Sequence, residues 1–138
     1  MSDQKELYAR LMASAVAARE YAYSPYSGYR VGAALLGADG KVYTGCNIEN
    51  AGYTPTNCAE RTAIFKAVSE GERSFLTIAV TGGKENEAPG YCTPCGVCRQ
   101  VLAEFCGADL RVLLGNASDV RVVTLGELLP EAFGGEMR

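Results

Sequence analysis

The sequence predicts a single α/β domain over residues 1–138, with a mixed sheet of about five strands between helices in a three-layer α/β/α arrangement. Three observations lead there. The chain has 138 residues, which suits one compact domain and leaves little room for a second. Apolar positions switch between helical spacing and short strand-like runs, and strands separated by helices build a sheet covered on its faces. Hydrophobic residues make up 48% of the chain, enough to fill the core that such layers need.

Leu7, Leu11, Ala15 and Ala18 recur at helical spacing, so residues 4–22 read as an amphipathic first helix. The run Ser24-Pro25-Tyr26-Ser27-Gly28 breaks it with turn chemistry. Residues 29–36 then read as a buried strand and 41–48 as its partner, with Asp39-Gly40 as the hairpin signal between them. A second helix is expected over 57–69, with Ala63, Ile64, Ala67 and Val68 on its apolar face and Gly71 ending it. Residues 75–81 form a short, almost wholly apolar third strand, followed by a polar loop over 82–90. Pro94 is suited to the first position of a third helix reaching Phe105. Residues 110–114 and 120–123 read as two more strands around a Gly115-Asn116 turn, before a short helix over 125–129.

Composition excludes several functions. There are 13 basic and 16 acidic residues, with no Lys/Arg cluster, which argues against a nucleic-acid partner. No apolar run is long enough to span a membrane, and Met1 to Leu11 carries no visible signal peptide, so the expected location is the cytoplasm. Thiols stay reduced there, and six cysteines then read as metal ligands or buried thiols. The chain has no histidine, so acid–base chemistry has to run through carboxylates, Lys, Tyr, Cys or a metal-bound water.

Cys95 and Cys98 form a Cys-x-x-Cys at a helix start, and Cys58 supplies a third thiol at another helix start. Three protein ligands leave zinc an open fourth position, as a catalytic site requires. Alone, the pair reads equally as a redox couple or half of a structural zinc site. Asn57 and Glu60 likewise make a capping-box pattern, in which Glu60 is only a helix cap. Cys58 and Glu60 can converge on one site if both lie in the first helical turn. The combination of Cys-x-Glu with a later Pro-Cys-x-x-Cys is the zinc nucleoside and nucleobase deaminase signature in its three-cysteine form.

The match extends beyond those motifs. The runs Tyr26 to Leu35, Gly45 to Asn50, Cys58 to Ala63 and Leu128 to Phe133 resemble the small homotetrameric cytidine deaminases, in the same order along nearly the whole chain. The resemblance implies one zinc per subunit held by Cys58, Cys95 and Cys98, with Glu60 as proton shuttle and Arg61 hydrogen-bonded to ligand sulfur. It implies that Asn47 and Glu49, two apart at the end of the second strand, bind the ribose hydroxyls of a free nucleoside. Backbone groups of Ala59 and Ala51 would read the base edge, Tyr29 would stand in for a usual Phe, and Tyr53 would line the pocket. Phe133 would reach a neighbouring subunit's site in a homotetramer. The implied activity is deamination of cytidine and 2′-deoxycytidine in pyrimidine salvage. Deamination of an antibiotic such as blasticidin S, or a non-catalytic zinc-stabilised module, are the competing readings. Cys92, three before Cys95, offers a rival Cys-x-x-Cys, and Cys46 and Cys106 read as packing thiols.

Overall fold

The computed structural model describes residues 2–134. Chain order is α1 (Ser2–Arg19), β1 (Tyr29–Gly37), β2 (Val42–Cys46), α2 (Ala59–Ser69), β3 (Phe75–Lys84), α3 (Gly96–Phe105), β4 (Arg111–Asn116), β5 (Asp119–Thr124) and α4 (Leu125–Leu128). The strands make one sheet in the order β2-β1-β3-β4-β5. Only β3 and β4 are parallel among these neighbours, and α3 makes the crossover that a parallel pair needs.

Side-chain alternation along the strands decides the layers. Ala33, Leu35, Ile78, Val80, Val112 and Leu114 face one side, where Ala63 and Ile64 of α2 and Leu102 of α3 pack on them. Their sequence neighbours Ala34, Leu36, Ala79 and Leu113 face the other side and meet Leu11, Met12 and Ala15 of α1. The three-layer α/β/α expectation therefore holds.

Two glycines set how closely the helices lie on the sheet. A Cβ on Gly32 would strike the Ala15 carbonyl and come 2.7 Å from the Arg19 amide nitrogen. One on Gly45 would strike the Ala59 carbonyl and come 2.6 Å from the Ala63 nitrogen. The second contact is what seats the start of α2 against β2.

Several expected boundaries move. The first helix ends at Arg19 rather than 22, because residues 20–22 close as turns. The third strand runs on to Lys84: Gly82 and Gly83 read as loop residues, yet they pair with Val31 and Arg30 of β1. The last hairpin turns at Ala117-Ser118 rather than Gly115-Asn116, since the Asn116 side-chain oxygen accepts from the Ser118 and Asp119 N–H groups at 3.0 Å each. The second strand ends at Cys46, so Asn47 and Glu49 lie just beyond it instead of on its face.

Candidate active site

Two helix starts build the site. Cys58 is the N-cap of α2 and Cys95 the N-cap of α3, both extended, and neither cap is closed by a side-chain bond. The expected capping box is therefore absent: Asn57 instead donates to the Thr62 hydroxyl at 3.0 Å, and Thr62 donates to the carbonyls of Cys46 and Cys58. Pro94 likewise precedes the N-cap of α3 instead of opening the helix, which starts at Gly96. Leaving the caps open keeps both cysteine side chains free to point at a common ligand.

The sulfurs of Cys58, Cys95 and Cys98 all lie within 4.8 Å of one another. Cys58 Sγ is 3.8 Å from Cys95 Sγ, which is 3.5 Å from Cys98 Sγ. Two sulfurs each about 2.3 Å from one tetrahedral zinc ion lie roughly 3.8 Å apart, so the trio fits that ion. Cys92 is outside the trio, so the rival Cys-x-x-Cys is not the one assembled. It packs half-buried beside Tyr29: a Cβ on Gly82 would come 3.0 Å from the Cys92 sulfur and 3.2 Å from the Tyr29 ring.

Electrostatics favour a ligand thiolate. A hydrogen bond from Cys98, opposed by burial and helped by Arg61, brings the Cys58 thiol down to about 5. The same bond and burial push Cys98 up. Arg61 Nη2 lies 3.2 Å from Cys58 Sγ, the contact to ligand sulfur that the sequence led us to expect. Glu60 is only 3% exposed, and burial pushes its carboxyl up to about 7, the Cys58 charge adding to the effect. Cys58 as N-cap and Glu60 in the first turn do converge, and both line one cleft of about 260 Å³.

That cleft also includes Tyr29, Asn47, Glu49, Ala59 and Cys92. Asn47 is buried with both side-chain atoms engaged: Oδ1 accepts from the Val31 N–H and Nδ2 donates to the Tyr29 carbonyl, each at 2.8 Å. Glu49 accepts from the N–H groups of Tyr26 and Ser27 at 2.9 and 3.1 Å, and from the Ser27 hydroxyl. Both residues thus brace the cleft wall through the chain's own groups. Burial followed by the Cys92 neighbour pushes the Tyr29 hydroxyl up to about 12, so it stays neutral.

Three expected residues are not brought into the cleft of their own chain. Ala51 and Tyr53 sit in the exposed turn after Asn50, where Tyr53 adopts a φ of 62° and meets Tyr26 edge-on at 6.4 Å. Phe133 is 72% exposed and lines a separate hollow beside Cys106 and α4. Cys106 is half-buried against the main core, and burial pushes its thiol up to about 12. Cys46 is also only half-buried, between α1 and α2.

Sequence reasoning missed Arg19. Its side chain is 4% exposed, with Nη2 donating to the carbonyls of Gly83, Lys84 and Glu87 and Nε to that of Arg30. It gathers the strand ends beside Tyr29 and the loop that leads to the cysteines. An arginine in a last helical turn is ordinary, so no local signal marks it.

Comparison with known proteins agrees with this geometry. The sequence model described as the cytidine and deoxycytidylate deaminase zinc-binding region matches residues 5–114. The cytidine deaminase of Sporosarcina psychrophila is 54% identical over 128 residues, covering 92% of this chain and 91% of that protein. That of Halalkalibacterium halodurans is 55% identical over 127 residues, with 91% and 93% covered. The crystal structure of the Burkholderia pseudomallei cytidine deaminase superposes with a TM-score of 0.82 at 52% identity, covering 90% of this chain and 97% of that one. The three-sulfur cluster at two helix starts gives that region its metal ligands here, and this chain belongs to the cytidine and deoxycytidylate deaminase family of zinc-binding enzymes.

Proposed function

We propose that the chain hydrolyses the exocyclic amine of free cytidine and 2′-deoxycytidine, giving the uridine nucleosides and ammonia. One observation carries the reading: the buried carboxyl of Glu60, pushed up to about 7, shares a cleft of about 260 Å³ with Cys58 and Cys95 of the three-sulfur cluster. The chemistry that zinc supplies when held by Cys58, Cys95 and Cys98 is the acidification of a water toward neutral pH. Glu60 accepts the proton of the attacking water and passes it to ring N3 as C4 is attacked, then takes the proton of the new C4 hydroxyl and delivers it to the departing amine. Water and cytidine are consumed, uridine and ammonia released, and Glu60 ends as it began.

The remaining side chains orient and select. Glu49 and Asn47, on one wall, face the ribose hydroxyls, and Glu49 disfavours a 3′-phosphate by like-charge repulsion. A free nucleoside is therefore the substrate class, in keeping with the net charge of -3. Tyr29 stacks on the substrate, and the backbone of Ala59, with that of Ala51, reads the base edge. Phe133 lies away from its own chain's cleft and is exposed, which suits delivery to a neighbouring subunit in a homotetramer. Among the described residues no helix is long and apolar enough to cross a membrane, and we place the enzyme in cytoplasmic pyrimidine salvage.

The test is loss of cytosine absorbance when the purified protein meets cytidine, with a chelator-treated sample beside it. Conversion to uridine that disappears with the metal supports the proposal. A folded, zinc-loaded protein that leaves cytidine and deoxycytidine untouched overturns it.

A further inference from the structure

Arg99 follows Cys98 directly in α3, and its guanidinium donates in two directions. Nε donates to the Pro94 carbonyl at 2.7 Å, and Nη1 to the Leu128 carbonyl, also at 2.7 Å. The Arg99 backbone N–H takes the Cys95 carbonyl at 2.9 Å. One residue thus holds two successive carbonyls across the Pro94-Cys95 step, and Pro94 is itself fully buried. Leu128 ends α4, where carbonyls lack intrahelical partners and seek donors elsewhere.

The next residue along α3 completes the pattern. Gln100 Nε2 donates to the Phe133 carbonyl at 2.9 Å. Consecutive residues of the metal helix therefore hold both ends of the segment from Leu128 to Phe133. Inside that segment Glu131 sits at a φ of 51°, a conformation that non-glycine residues keep only when their surroundings enforce it. Among the described residues the single ion pair is Arg30 with Glu85, so the Arg99 charge is met by carbonyl oxygens. Its planar fork reaches two of them at once, which a lysine ammonium on a flexible stem does not reproduce.

We propose that Arg99 is a positioning residue of the metal centre: it fixes the Pro94-Cys95 step that aims the Cys95 sulfur, and it ties that step to the C-terminal segment carrying Phe133. Order in that segment and retention of the metal are then coupled through one guanidinium. Gln100 serves the segment alone. The inference rests on Cys95 being a zinc ligand.

The experiment uses the full chain as Arg99→Lys, Arg99→Met and Gln100→Ala, with the core variant Leu113→Val as a control for general loss of stability. Zinc release to a chromogenic chelator and amide hydrogen exchange over residues 92–98 and 128–134 are followed in each. Both Arg99 variants are expected to release zinc roughly 10–100-fold faster, the usual effect of removing a partner behind a metal ligand. They are also expected to exchange faster in both segments, and to shift the visible bands of the cobalt(II)-substituted protein. Gln100→Ala is expected to loosen only residues 128–134, and Leu113→Val neither segment selectively. Should Arg99→Met fail to fold, Arg99→Lys decides the matter. Zinc release and exchange over 92–98 unchanged from the parent, or reproduced by Leu113→Val, overturn the inference while leaving the zinc site standing. A parent protein that binds no zinc overturns both.

Discussion

At the scale of single residues, the chemistry we propose depends on Glu60 being buried without being used as a cap. Burial pushes its carboxyl up to about 7, toward the range in which one group can both accept and donate a proton. Glu60→Gln keeps shape and hydrogen bonding but cannot shuttle a proton. We expect a folded, zinc-loaded variant whose kcat falls roughly 10²–10⁴-fold, measured beside zinc content and thermal melting. Equal turnover in the two proteins would assign Glu60 a structural role. Glu49 provides a pH test. Burial raises its carboxyl, but bonds from Ser27 and Tyr26 outweigh that and leave it below the usual 4.5. A depressed folded-state value adds stability that is complete above about 4.5 and is lost as pH falls through the folded value. The stability gap between the parent and Glu49→Gln, from urea midpoints, should therefore narrow between neutral and strongly acidic pH. A gap independent of pH would mean that the carboxylate charge is not what these bonds stabilise. The sequence made the cysteines and Glu60 legible because their spacing is a motif. It did not show that the polar groups of Asn47 and Glu49 are held by the chain itself, since those partners depend on how β1 and the turn before it pass the cleft.

Whole elements position that chemistry by backbone contact. The α2 start reaches the cleft because β2 carries no side chain at Gly45, where α2 backbone would meet a Cβ. The nearest obstacles are the Ala59 carbonyl and the Ala63 nitrogen, which cannot swing aside like a flexible side chain. Gly45→Ala should cost about 1–3 kcal/mol or more in denaturant titration, as overpacking does. Because Ala59 lies between Cys58 and Glu60, activity should fall as well, even in the folded fraction. A variant as stable and active as the parent would show that α2 moves freely over β2. Apolar spacing together with turn and helix-start residues identified every helix and strand described in the structure. Ends were less legible. Gly82 and Gly83 punctuate the sequence like a loop, yet β1 supplies their partners and the strand continues to Lys84.

For the whole molecule, metal binding and folding are linked. The three sulfurs come from two helix starts 37 residues apart in sequence, so the unfolded chain holds no preformed site. A ligand that binds only the folded state stabilises it by about 2.7 kcal/mol at a free concentration one hundred times its dissociation constant. Removing zinc should therefore lower the melting temperature by roughly 10 °C for a domain of this size, and restored zinc should recover it. Identical melting of the stripped and loaded proteins would mean that the cluster holds its metal too weakly to matter. The sequence by itself determined the α/β class, the order of elements, the family and the residues able to bind zinc, because periodicity and motif spacing are local properties. Only the tertiary structure decided how closely those three sulfurs meet, that Cys92 stays outside the trio, and which arginines hold the loops around them. Arg19 bonds a carbonyl 68 residues away and Arg99 one 29 away. Such pairings are set when the layers close, where burial obliges each guanidinium and carbonyl to find a partner.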